Sequence, residues 1–358
     1  MKNQLKEKII SKNILEKLLK RLKLLLLSSL LGMPLATNAL NVGMGIHPQD
    51  FPQAPENLTK LLKKYEISTF RTDYPWSQVE KQKGIYNPVN DKIEKTIKLA
   101  KENNIKPLII FDYGNELYEK RTNLNPTRKP TSDTSVRAFV NYVEWSTNHL
   151  KNNVSTFEIW NEWIQMAGEG NRGTALSRES AKIYADLTIK SCRVIKKINP
   201  KAIVISGSSS PLSEESNQWL FAVINNGILN CVDGISLHAY NFDNNKKLDY
   251  KPIILSVKKL QLELAYINKG KEVPLYITET GVSNVKNATY TLEDTANYFD
   301  GYMKELSKLN YVKGVWWYDF INDGNNPNDK ESNFGILNRD FSPKPIALKF
   351  ADTIKKYK

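Results

Sequence analysis

The chain is poor in the residues that build metal and redox centres. Of its 358 residues only two are cysteine and three are histidine. Cys192 and Cys231 fit neither a metal nor a redox spacing, which leaves open a single disulfide in an oxidising compartment or two partly buried thiols. His47, His149 and His238 are scattered, which argues against a zinc site, so neither metal nor cofactor is expected. Glycine-rich phosphate turns are also missing. Gly43-Met44-Gly45 lacks the third glycine of a dinucleotide fingerprint. Long apolar runs are absent too: Leu24 to Leu31 is too short to span a bilayer comfortably.

Charge is uneven. The sequence holds 51 Lys and Arg against 38 Asp and Glu, a net +13. Residues 1–39 carry eight of the basic and two of the acidic residues; without them 43 face 36, or +7. In that stretch a basic segment precedes the Leu24–Leu31 run and then Gly32, Pro34 and the small-residue site Thr37-Asn38-Ala39. The order is that of a secretory signal, with an uncleaved anchor as the alternative. Residues 1–39 are therefore read as a signal peptide and 40–358 as one domain, a periplasmic or secreted monomer without stable membrane insertion. Beyond residue 39 no dense basic run appears, so nucleic acid is not an expected partner. The remaining charge reads as surface lysines kept for solubility, or as a mild preference for an acidic glycan.

Eight apolar segments follow, each leading into a stretch of helical spacing: 42–46, 67–71, 107–111, 156–161, 202–206, 234–238, 275–279 and 314–318. The helices are expected at about 57–65, 90–103, 133–151, 179–198, 214–226, 252–267, 291–309 and 345–356. Asn199-Pro200 marks one stop, and Thr291 with Asp294 a capping box. Strands this uniformly apolar are buried on both faces, as parallel strands are. Eight such units without a composition break predict an α/β fold, a single (β/α)8 barrel, over a doubly wound sheet.

Two segments carry the chemistry. Phe157-Glu158-Ile159-Trp160-Asn161-Glu162 and Leu275-Tyr276-Ile277-Thr278-Glu279 both run from an apolar strand into a carboxylate. A barrel sets such residues at its carboxyl-terminal mouth, where strands four and seven can meet although 117 residues separate them. Glycosidic hydrolysis needs two such carboxyl groups. Arg71, His238 and the pair Trp316-Trp317 end other strands on the same face. Glu158 shares the parity of Glu162 but lies four residues earlier, about 13 Å down a strand. It is expected inside the barrel with a cationic partner. Trp76, Tyr113 and Trp163 are candidates for more distant subsites, and Glu169 is expected to be solvated.

Trp160-Asn161-Glu162 and Thr278-Glu279-Thr280-Gly281 resemble the two signatures of clan A of the glycoside hydrolases. Phe70-Arg71, Trp76 to Tyr86, His238-Ala239-Tyr240, Phe334 to Leu337 and Pro343-Lys344-Pro345 extend the likeness over about 41–357. The whole is similar to glycoside hydrolase family 39 and to endoglycosidases that cleave bacterial exopolysaccharides. The resemblance implies Glu162 as acid/base, holding its proton at rest, and Glu279 as nucleophile. It implies that Arg71 keeps Glu279 ionised and that Asn161 binds the sugar 2-hydroxyl. His238 and Tyr240 would line the cleaved-sugar subsite. One of Trp316 and Trp317 would floor it, since strand parity turns only one inward.

The expected function is retaining hydrolysis of β-glycosidic bonds in a polysaccharide or oligosaccharide, endo-acting on a bacterial exopolysaccharide or capsular or biofilm glycan. An exo-acting β-xylosidase, a plant-wall endoglucanase and a non-catalytic carbohydrate-binding barrel are the rivals. The last would usually have lost a glutamate, and both are present.

Overall fold

The computed structural model of the chain describes residues 40–164 and 172–357. The expected signal peptide and Glu169 lie outside the described residues. Eight parallel strands close into a barrel: β1 Asn41–Gly45, β2 Thr69–Asp73, β3 Lys106–Phe111, β4 Thr156–Ile159, β5 Ile203–Ser209, β6 Gly234–His238, β7 Leu275–Thr280 and β8 Val312–Trp317. Neighbours in sequence are neighbours in the sheet, and β8 closes on β1.

The crossover helices are α1 Pro55–Lys64, α2 Asp91–Glu102, α3 Asp133–Leu150, α4 Arg178–Ile198, α5 Glu214–Asn225, α6 Lys251–Ile267, α7 Leu292–Leu306 and α8 Pro345–Tyr357. None among the described residues is long and apolar enough to cross a membrane. Caps fix where several of them start. Ser132, Ser177 and Ser213 each accept the N–H three residues on. At α7 the expected box forms: Thr291 Oγ1 accepts from Asp294 N at 3.1 Å, and Asp294 Oδ2 accepts from Thr291 N at 2.8 Å.

β4 stops two residues before the expected end because Trp160 turns to φ +64°, and Glu162 to φ +50°. Side chains rarely adopt that left-handed region, and such strain collects at functional sites. The turn lifts Asn161 and Glu162 off the strand and over the mouth. β5 instead runs past its expected end, to Ser209.

Leu108, Ile110, Ile205, Tyr276 and Trp316 form a small apolar cluster of their own, apart from the main core. They sit on β3, β5, β7 and β8 and fill the lower barrel interior. Gly43 faces Trp316, whose ring lies where a β-carbon would have to go, about 2.5 Å away. Any larger residue at 43 would push the indole out.

Cys192 on α4 and Cys231 before β6 are joined in a disulfide, which decides the question left open by their spacing. It closes a 39-residue separation. A cross-link of that span stabilises by about 2–5 kcal/mol, mainly by restricting the unfolded chain. Cys192→Ser with Cys231→Ser should lower stability by that amount in denaturant unfolding, with the fold intact by circular dichroism; an unchanged midpoint would contradict the pairing.

Candidate active site

Arg71, inward on β2, organises the mouth. Its Nε donates to Glu158 Oε2 at 2.8 Å, and its Nη2 donates to Asn161 Oδ1 at 2.7 Å. Nη1 lies 3.6 Å from Glu279 Oε2. Glu158 is fully buried, and its other oxygen accepts from Ser208 and Thr278, each at 3.0 Å. This is the cationic partner that strand parity predicted. Burial opposes the charge on Arg71, but Glu158 and Glu279 hold the guanidinium protonated, its pKa raised further above the ordinary arginine range.

His238, at the end of β6, bridges the two candidate glutamates. Its Nδ1 is 2.8 Å from Glu162 Oε1 and 2.8 Å from Glu279 Oε2. The three groups place ligand-type atoms within 4.8 Å of one another, so Glu162 and Glu279 oxygens lie closer than that. Tyr240 donates its hydroxyl to Glu279 Oε1 at 2.9 Å, a direct engagement rather than lining alone. Asn161 Nδ2 donates to Tyr113 OH at 2.7 Å, which leaves one amide hydrogen for a ligand.

The electrostatics separate these groups. Burial pushes Glu279 up, but His238, Arg71 and the Tyr240 hydroxyl overcome it and hold the carboxyl at about 2. For His238 burial opposes the charged ring, yet Glu279 and the bonds to both glutamates lift it to about 9. Arg71 Nη2 lies 3.3 Å from His238 Nε2, a hydrogen bond only for the neutral ring. Protonation trades that contact for attraction to the Glu279 carboxylate.

The tryptophan expectation fails. Trp316 does face inward, but at the level of Gly43, with its Nε1 donating to Thr69 Oγ1 at 3.3 Å. Trp317 faces outward onto Tyr298 and Phe299 of α7. The aromatic at the mouth is Tyr318, one pleat above Trp316 and edge-on to His47 and Phe334. Burial, followed by nearby acids that include Glu279, raises its phenol. Parity names a face but not a height, and counting two residues on from Trp316 would have found it. Trp76 is fully buried between Tyr118 and Tyr142 and donates to Glu80, so it is no subsite. Trp163 is 3% exposed and lines a separate cavity. Asp73 and Asp112, which close β2 and β3, were not foreseen. Burial and their mutual repulsion raise Asp112 far above the carboxylate range.

A second group, His47, Asp319 and Asp323, also brings three ligand-type atoms within 4.8 Å. Arg339 lines the same small cavity of about 20 Å³, so a resident cation already competes with any ion there.

The described chain is a (β/α)8 barrel with one glutamate just past β4 and another in β7. The sequence matches the cellulase family, glycosyl hydrolase family 5, over residues 37–320, and the chain belongs to that family. This agrees with the clan A signatures. Among solved structures it is similar to a family 39 glycoside hydrolase from Bacteroides cellulosilyticus WH2, with 26% identity, 88% of this chain covered and a TM-score of 0.70. The chain spans 64% of that protein's length. Xylanase 10B from Thermotoga maritima has the same fold at 15% identity, covering 89% of this chain and 96% of that one, TM-score 0.63. A β-xylosidase from Caulobacter crescentus CB15 does so at 18% identity, with 87% and 67% covered and a TM-score of 0.62. No curated protein matches the chain in sequence.

A raised folded pKa makes His238 a source of stability that is full below its unfolded value near 6.5 and lost as pH rises through about 9. Between pH 6 and pH 9.5 the parent should change in denaturant stability by up to roughly 3 kcal/mol less favourably than a variant lacking the imidazole, His238→Gln, a difference that sets aside what the depressed lysines contribute to both. Equal changes in both proteins would contradict the assignment.

Proposed function

We propose that the chain is a retaining β-glycosidase with Glu162 as acid/base and Glu279 as nucleophile. The observation that carries this reading is the sub-4.8 Å approach of their oxygens across His238. Retaining enzymes hold the two carboxyl groups about 5–5.5 Å apart, whereas inverting ones leave about 6.5–9.5 Å for a water between them.

Glu279, ionised and held by Arg71, Tyr240 and His238, attacks the anomeric carbon. Glu162 gives its proton to the leaving oxygen as the glycosidic bond breaks, and a glycosyl ester forms on Glu279. Glu162, now a carboxylate, takes a proton from water, which attacks the same carbon and frees Glu279. His238 has one Nδ1–H for two acceptors. While Glu162 carries a proton it competes less for that N–H, which then serves Glu279. The free amide hydrogen of Asn161 meets the sugar 2-hydroxyl, and Tyr318 offers the apolar face expected of a tryptophan.

Endo action on a bacterial exopolysaccharide is the substrate reading, supported by the motif likeness to exopolysaccharide endoglycosidases. Export to the periplasm or beyond is supported by the order of residues 1–39 and by the Cys192–Cys231 disulfide, a bond kept in oxidising compartments.

Glu162→Gln and Glu279→Gln should each reduce kcat by at least about 10²-fold while the protein stays folded. A 2-fluoro glycosyl fluoride should add one sugar mass to Glu279 in the parent and none in Glu279→Gln. Parent-like turnover in both variants would contradict the roles.

A further inference from the structure

A second cavity lies between the loop that follows β3 and the start of α4. It measures about 180 Å³, several times what one water needs, and is lined by Lys129, Thr131, Trp163, Ser177 and Ser180, with Glu179 at its rim. Trp163 is the residue after Glu162. Glu162 would serve the leaving oxygen, so a cavity walled by its neighbour is assigned to the side of the departing sugar.

Lys129 is the unusual member. It is 7% exposed, and its ammonium sits 5.7 Å from the centre of the Trp163 ring. A buried ammonium is ordinarily paired. Among the described residues no carboxylate lies within ion-pair distance of this one. The acids nearby are otherwise placed. Glu119 accepts from Thr131 and Ser135, Glu116 faces Arg128, and Glu179 is exposed. Burial alone lowers Lys129 to about 8. The amino end of the 21-residue α4, capped by Ser177, opens on the same cavity and adds its partial positive charge. Ser180 Oγ accepts from Trp163 Nε1 at 2.9 Å, so its hydroxyl hydrogen remains free to donate.

Building on the glycosidase reading, we infer that this cavity is an aglycone-side subsite for a carboxylate-bearing sugar, a uronic acid residue whose carboxylate pairs with Lys129. The ammonium supplies the missing counter-charge, the indole an apolar wall, and Ser180 a donor for a ring hydroxyl.

Binding tests this without reference to turnover, so a failure here and a failure to hydrolyse glycans are separately visible. Methyl β-glucuronide and methyl β-glucoside are titrated against the full chain by ligand-observed NMR. The glucuronide should bind roughly tenfold tighter at pH 7, the scale of one charge-assisted hydrogen bond. Lys129→Met should remove that difference and Lys129→Arg should keep it. Should Lys129→Met fail to fold, the parent alone decides: glucuronide affinity should fall as pH rises from 7 to 9.5, while glucoside affinity holds. Equal affinities at pH 7, a pH-independent preference, or acetate binding as tightly as the glucuronide would overturn the inference.

Discussion

Everything at the mouth depends on one buried guanidinium. Arg71 touches Glu158 below it, Asn161 and His238 beside it and Glu279 above it. A cation this deep is tolerable only when fully paired, and Glu158 supplies the pairing inside the barrel. That leaves the remaining N–H groups to aim upward. Glu158 is thus a foundation: it holds Arg71 in place, and Arg71 with His238 keeps Glu279 ionised. Removing Glu158 would leave an unpaired charge at the barrel's centre, an error costing several kcal/mol before any effect on chemistry.

The second constraint is backbone strain. Trp160 and Glu162 both occupy the left-handed region, φ +64° and +50°, on either side of Asn161. Each costs of order 1–3 kcal/mol and persists because the surroundings over-determine it. Trp160 is buried against Tyr113, Phe139 and Trp163, and Asn161 is clamped by Arg71 and Tyr113. The aromatic packing behind the strand therefore sets where Glu162 stands relative to Glu279.

Much of this was legible in the sequence because a parallel barrel writes a simple pattern. Strands buried on both faces read as apolar runs, and all eight were placed to within a few residues. Parity put Glu158 inside and predicted its cation. Several features escaped. The short helix Trp76–Val79 and the hairpin Glu80–Gln82 with Ile85–Tyr86 are too brief to show a period. Trp316 and Trp317 misled because alternation gives the side of a strand and not the depth along it, so Tyr318 was passed over. The bridging of both glutamates by His238, and the isolation of Lys129, come from contacts between residues remote in sequence, which no local pattern encodes. The disulfide was left open for the same reason: spacing alone cannot bring α4 and the turn before β6 within reach.

The central claim is that two glutamates held less than 5 Å apart perform a double displacement, and the stereochemistry of the first product tests it most directly. Proton NMR, followed from the first seconds of hydrolysis of a β-glycoside, should show the β-anomer appearing first and mutarotating later. Initial appearance of the α-anomer would mean inversion, and would contradict the account.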